Sequence, residues 1–378
     1  MTDICIIGGG AAGMAAAICA KEKNPALDIL IIEKKDQMGR KILASGNGKC
    51  NLSNAKCKNY KKTLAFFARL GLLTRTDEEG RIYPYTEEAR AVRMALQKRI
   101  TALGIRTETS SEVLSVDRGE CFVIETSKGT LTSRKLLISC GGKAGPQFGT
   151  TGDGSKLARQ LGHRVTRLVP VLTAIDVKED ISSLAGIRAK VCVSLRYRSE
   201  TLAEETGELQ FTKTGVSGIC VFNLSRFLLI PEGKTMKDGF DDYQITIDFF
   251  PGRDDLPEIL TERSGKQGFD GVHLLDFLVR EPIAEKIHQS SNGDIEEMAR
   301  LLHCFALSPK GARGWDYAQV TKGGVSLDEI DLTSMKSRLV ENLYFAGEVI
   351  DYDGPCGGYN LQNAFETGML AGEEMADE

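Results

Sequence analysis

The residues most able to do chemistry stand near the start of the chain. Gly8, Gly10 and Gly13 are spaced G-x-G-x-x-G, with Ala11 and Ala12 between the second and third, and Glu33 lies twenty residues beyond Gly13. That pattern suits the pyrophosphate of a dinucleotide. Gly8 permits a tight turn, Gly10 lets backbone approach the phosphates, and Gly13 lets a helix pack closely on a strand. The helix N-terminus then offers N–H groups and positive dipole to the phosphates. Glu33 is expected to accept from the ribose hydroxyls, and its charge disfavours a 2′-phosphate in this site.

Three further glycine-rich segments exceed what a plain NAD site needs. Residues 39–51 form a basic loop that includes Gly39, Arg40, Lys41, Ser45, Gly46 and Asn51. Residues 136–142 read as a buried strand ending at Cys140, Gly141 and Gly142. Residues 343–348 place Glu348 directly after another apolar run and Gly347, and Gly358, Tyr359, Asn360 and Leu361 open the last helix.

Other chemistries find little support. The ten cysteines contain no C-x-x-C pair, and the four histidines are scattered, so neither a thioredoxin-type disulfide nor a metal site is expected. No Ser-His-Asp arrangement is visible. A formal net charge of −4 gives no general reason to bind nucleic acid. Lys56, Lys58, Lys61 and Lys62 read as a solvated face.

The elements that must position these residues read as an α/β fold. Residues 3–7 and 28–32 are short apolar runs, as in strands buried on both faces of a parallel sheet, and residues 14–23 form an alanine-rich helix between them. Apolar spacing predicts a helix over 87–103, strands over 113–116, 121–126 and 136–139, and a helix over 156–161. Residues 189–197, 201–211 and 243–250 have strand patterning, and 256–307 turn helical, for example at 272–279 and 295–302. A final strand (343–346) and helix (361–375) return to the first pattern. The reading is a Rossmann-like domain built from both chain ends (1–170 and 326–378), an inserted β-rich substrate domain (171–254 and 308–325) and a small helical domain (255–307). No uncharged apolar run is long enough to span a membrane, the N-terminus has no basic leader, and a reducing cytoplasm is expected.

Six segments carry a more specific resemblance: 39–54 (GRKILASGNGKCNLSN), 80–84 (GRIYP), 149–154 (GTTGDG), 211–218 (FTKTGVSG), 320–327 (VTKGGVSL) and 343–362 (LYFAGEVIDYDGPCGGYNLQ). With these the chain resembles, nearly end to end, the bacterial BaiN-like FAD-dependent oxidoreductases, which include a 3-dehydro-bile-acid delta-4,6-reductase and aminoacetone oxidase. The resemblance implies non-covalent FAD. Its implied contacts are Gly8, Gly10, Ala11, Ala12, Gly13, Glu33, Lys34, Gly39, Arg40, Lys41, Ser45, Gly46, Asn51, Val113 (through its backbone), Cys140, Gly141, Gly142, Gly347, Glu348, Gly358, Tyr359, Asn360 and Leu361. Cys140 stands where threonine is usual, and Lys322 where a small residue is common. Tyr317, Lys322 and Tyr359 are the candidate catalytic groups: a tyrosine as acid toward an enolate, a lysine to polarise a carbonyl. The expected reaction is reduction of an activated C=C bond, in a steroid- or bile-acid-like enone, with hydride from NAD(P)H passing through the flavin. The alternatives are an oxidase of small amines that releases peroxide, and an RNA-modifying or non-catalytic flavin protein. The expected partner is a small-molecule substrate, with no nucleic acid or membrane.

Overall fold

The computed structural model describes residues 1–230 and 239–377, and the chain divides into two compact units. The first joins Met1–Pro170 to Gln319–Glu378; the second is Val171–Ala318.

The first unit is built on a seven-stranded sheet. Thr2–Ile7 lies at its centre, with Ile4 and Ile6 fully buried. It pairs in parallel with Ile29–Ile32 on one side and with Gly129–Ile138 on the other. Apolar side chains on both faces of these strands leave no solvated side, as a covered parallel sheet requires. Arg106–Glu108 extends the sheet beyond Ile29–Ile32. The ten-residue strand Gly129–Ile138 serves two partners in succession. Its first half pairs antiparallel with Phe122–Thr126, which pairs with Val113–Arg118; its last three residues pair in parallel with Leu343–Phe345. The late chain thus re-enters the sheet beside the early chain.

Helix Ala11–Lys23 is buried around most of its circumference, from Ala12 to Ala20. One face meets the last helix, Tyr359–Asp377. A Cβ on Gly368 would stand 2.3 Å from the Ala12 carbonyl oxygen, and one on Gly372 2.2 Å from that of Ala16. Four-residue spacing puts both glycines on one helix face, so the two backbones approach directly. A three-stranded antiparallel sheet of Ser53–Asn54, Arg81–Pro84 and Thr74–Thr76 braces the basic loop.

The second unit is an antiparallel seven-stranded sheet in the order Phe305–Leu307, Tyr243–Asp248, Arg188–Tyr197, Glu200–Phe211, Gly215–Ser217, Ile175–Val177, Pro309–Ala312. Helices Leu256–Ser264, Glu281–Ser290 and Ile295–His303 share one hydrophobic core with it, through residues such as Leu256, Ile287 and Met298 beside Val193 and Ile245. Here the segment 255–307, expected as a separate helical domain, has its apolar faces covered by the sheet. Val320–Lys322, expected with the β-rich domain, lies in the first unit. The helix expected over 272–279 is instead a short 3-10 turn, Gly271–Leu275, with Phe277 at φ +63°. The next helix starts at Glu281 with proline in its first turn and Arg280 extended before it, so the chain has to turn first. Among the described residues no helix is long and apolar enough to cross a membrane.

Candidate functional site

At the end of the first strand three glycines do three different things. Gly8 sits at φ +104°, and a Cβ there would stand 2.6 Å from Cys140 Cα. A Cβ on Gly13 would lie 2.0 Å from the Gly8 carbonyl oxygen, so this glycine closes the helix onto the turn. Gly10 faces open space: nothing lies within 4 Å of its Cβ position. It also caps the Ala11–Lys23 helix with no side-chain bond, and the Met14 N–H onto Gly10 O begins the helical ladder. The N–H groups of Ala11, Ala12 and Gly13 precede that bond, at the positive end of the helix.

Glu33 follows the second strand. Its carboxylate accepts the Gly9 N–H at 2.9 Å and the Lys35 N–H at 2.8 Å, which leaves lone pairs for another donor. Its main chain accepts the Ser111 N–H, two residues before Val113. Lys34 points to other partners: Nζ bonds Asp153 at 2.6 Å and Thr151 at 2.7 Å. Burial pulls the Lys34 ammonium down, and the bond and charge of Asp153 outweigh it, so the net shift is upward.

The basic loop is wound through left-handed conformations at Gly39, Gly46, Asn47, Gly48 and Cys50. Asn47 and Cys50 adopt backbone angles that side chains disfavour, which marks a strained loop. Arg40 pairs with Asp36, and the Ser45 hydroxyl donates to Ile42 O. The Cys50 thiol is fully buried and pushed up to about 12 by desolvation. Asn51 is buried, and its Oδ1 has no hydrogen-bond partner.

Lys41 ties this loop to the opposite end of the chain. Its Nζ meets Glu348 Oε2 at 2.6 Å and Ala144 O at 3.2 Å. Glu348 Oε1 accepts the Thr321 N–H at 3.0 Å, and the buried Thr321 hydroxyl accepts the Lys143 and Ala144 N–H groups at 2.7 and 2.9 Å. A Cβ on Gly142 would stand 2.4 Å from that hydroxyl. Gly141 adopts φ +78° against Thr150, and burial raises the Cys140 thiol to about 12. Gly347, at φ +77°, brings its turn within 3.0 Å of Ala12 Cβ as measured from its own Cβ position, and its N–H donates to Thr367.

The last helix opens from a second tight turn. Gly357 and Gly358 have φ of +121° and +100°, and a Cβ on Gly358 would stand 2.6 Å from the orphan Asn51 Oδ1. Asn54 Nδ2 donates to Gly357 O at 2.9 Å, and Ser53 Oγ to Gln362 at 2.7 Å. Asn360, one of the implied FAD contacts, uses its amide on the preceding loop: Oδ1 accepts the Gly354 N–H and Nδ2 donates to Gly354 O. Leu361 is half-buried. Lys322 Nζ lies 3.3 Å from Asp353, next to that clamped glycine. The Tyr359 phenol is half-buried; burial, with the Cys57 thiol nearby, raises it. Lys322 and Tyr359 therefore both meet the loop at Asp353 and Gly354, whereas Tyr317 is 70% exposed in the second unit.

Three side chains of this neighbourhood escaped the sequence reading. The Thr321 hydroxyl accepts from Lys143 and Ala144, and Asp353 pairs with Lys322; their segments' motifs were visible, but only the fold supplies their partners. Arg81, within the GRIYP segment, brings its Nε to 3.9 Å from the Gly357 Cβ position.

The residues fit the FAD that the resemblance implies. An uncapped helix N-terminus beside a bare glycine suits the pyrophosphate, and an unpartnered buried amide oxygen stands where the basic loop meets the last helix.

Comparison with known proteins follows the same lines. A family profile described as the HI0933-like protein Rossmann domain matches residues 2–64 and 57–374. The 3-dehydro-bile acid delta(4,6)-reductase of Clostridium scindens is 34% identical, covering 100% of both chains. The ribosomal RNA dihydrouridine synthase of Escherichia coli is 28% identical, covering 99% of this chain and 98% of that one. Among solved structures, a 3-ketosteroid-delta4-(5alpha)-dehydrogenase from Rhodococcus jostii superposes with a TM-score of 0.52 at 14% identity, over 100% of this chain and 97% of that one. That likeness is one of fold.

Proposed function

The chain belongs to the BaiN-like FAD-dependent oxidoreductases, with an HI0933-like Rossmann domain, and from that premise we propose that it reduces a C=C bond conjugated to a carbonyl in a steroid-like small molecule. The observation that carries this reading is end-to-end similarity, at 34% identity, to a protein named as a delta(4,6)-reductase of a 3-dehydro-bile acid. Bound FAD supplies the hydride chemistry that such a reduction needs.

The chain's own residues have separable tasks. Gly10 and the N–H groups of Ala11–Gly13 bind the pyrophosphate, and Glu33 takes the ribose. Gly39, Lys41, Ser45, Gly46, Asn51 and the Gly141–Gly142, Gly347–Glu348 and Gly358–Leu361 turns enclose the rest. Tyr359 keeps its proton through the neutral range and donates it to the substrate's α-carbon. Lys322, steadied by Asp353, polarises the substrate carbonyl. Tyr317 is the remaining candidate acid. The electron donor is a reduced nicotinamide nucleotide that docks transiently, because a second G-x-G-x-x-G fingerprint is absent from the sequence.

The test is anaerobic. Purified protein should be yellow, NADH or NADPH should bleach it, and a steroidal enone should restore the colour. A bleached flavin that no enone reoxidises, but that oxygen and aminoacetone-like amines turn over with release of peroxide, replaces this reading with an amine oxidase.

A second reading is favoured by the 28% identity to a ribosomal RNA dihydrouridine synthase. Forming dihydrouridine also adds two hydrogens across a C=C bond next to a carbonyl, so the same side chains would serve. Salt-sensitive RNA binding together with a two-hydrogen mass gain in RNA would select it.

A further inference from the structure

From residue 37 to residue 76 the chain carries nine cations and no acid. Five of them pair with carboxylates from elsewhere: Arg40 with Asp36, Lys41 with Glu348, Lys49 and Arg75 both with Glu87, and Arg69 with Glu22. The other four are Lys56, Lys58, Lys61 and Lys62. All four are exposed, and among the described residues none of their ammonium groups makes an ion pair. They occupy one turn and the start of helix Tyr60–Arg69, within a seven-residue stretch. Lys61 and Lys62 lie in that helix's first turn, the end at which the macrodipole disfavours cations, so the local field is positive from both sources.

This face adjoins the candidate site. Asn54 bonds Gly357 O, Asn59 bonds the Glu366 carboxylate of the last helix, and Cys57 lies by Tyr359. It is also bounded. The Ala55 N–H donates to Gly80 O at 2.8 Å, and the hairpin reached there carries Asp77, Glu78 and Glu79. A long polyanion would meet those carboxylates. A compact molecule with a terminal phosphate need not.

We propose that this lysine face binds the 2′-phosphate of NADPH and so makes NADPH, rather than NADH, the electron donor. The proposal rests on the reductase reading above. The phosphate monoester adds about −1.5 to −2 charges at neutral pH, the one feature in which the two donors differ. Glu33 lies in the FAD site and does not bear on this choice.

Calorimetry on the flavin-loaded protein with 2′,5′-ADP and 5′-AMP isolates the contribution of the 2′-phosphate. At low salt, 2′,5′-ADP should bind at least about tenfold tighter, and the difference should shrink as salt shortens the screening length. Lys61→Glu/Lys62→Glu and Lys56→Gln/Lys58→Gln variants that keep wild-type melting and flavin content should each lose most of that preference. Anaerobic bleaching should follow the same order, NADPH before NADH. Equal affinity for the two nucleotides, or a preference that survives in both variants, overturns the proposal. So does tighter binding of a short single-stranded RNA without any preference between the nucleotides, which would assign the face to RNA. Preferential binding of 2′,5′-ADP by a protein that neither NADH nor NADPH bleaches supports the phosphate site and tells against the reductase reading, so the two failures are distinguishable.

Discussion

A methyl group at Gly10 and a methyl group at Gly13 should have opposite consequences. The Gly10 position opens onto empty space with extended backbone, so Gly10→Ala should leave unfolding within about 0.5 kcal/mol of wild type. The same methyl occupies the approach to the helix N-terminus, so bound flavin should fall several-fold. Gly13→Ala drives a Cβ into the Gly8 carbonyl and should destabilise the fold by roughly 1–3 kcal/mol. Flavin-to-protein absorbance ratios and urea unfolding of the two variants separate the effects; full flavin retention in Gly10→Ala would place the phosphates elsewhere. Both glycines' backbone geometries were legible from spacing, because the fingerprint encodes them. Thr321 was not. Its hydroxyl matters only because Lys143 and Ala144, far away in sequence, offer it two N–H groups. The Lys34–Asp153 pair was hidden in the same way, because 119 residues separate its partners.

Among elements, the seam between the first and last helices is the most demanding. Gly368→Val or Gly372→Val would force a side chain into the Ala12 or Ala16 carbonyl, and each should cost roughly 1–3 kcal/mol, read as a lower urea midpoint. The two positions share one contact, so the double variant should not show a simple sum. A normal midpoint in both single variants would mean that the helices can separate freely. The last helix was legible from its periodicity, but the close approach at its glycines was not, because the helix they face lies at the other end of the chain. Helix Tyr60–Arg69 was overlooked because its lysines drew the eye, although Thr63, Phe66 and Phe67 form a buried i, i+3, i+4 stripe. The helix expected at 272–279 had the right spacing and lost to the proline-initiated helix that follows it.

For the whole molecule, acid should act through a buried histidine outside the cofactor loops. His163 is buried, its Nε2 lies 2.8 Å from Ser337 Oγ, its Nδ1 has no partner, and its ring meets Phe345 edge-on. Burial holds the imidazole below the ordinary value of 6.5. The unfolded chain then binds the proton more readily than the folded one. Stability is therefore complete above about pH 6.5 and declines as pH falls toward the folded value. Melting at pH 7.5 and pH 5.5 should show a drop that His163→Gln reduces; an unchanged drop would assign the acid sensitivity to other groups. The division into two units was legible as a change from α/β to β-rich patterning near residue 170. The return point was not, because Val320–Lys322 is a three-residue strand whose partner, Val169–Val171, is far away in sequence.

The glycine seam also has a consequence in time. The glycine-rich turn at 8–13 leaves the ribosome more than 340 residues before the surface that clamps its helix. Until residues 359–377 have emerged, Ala12 and Ala16 lack their covering backbone, and Glu348 is only newly available to hold Lys41. Flavin uptake thus becomes a late event in biosynthesis, and yellow colour a sign that translation has passed the last helix.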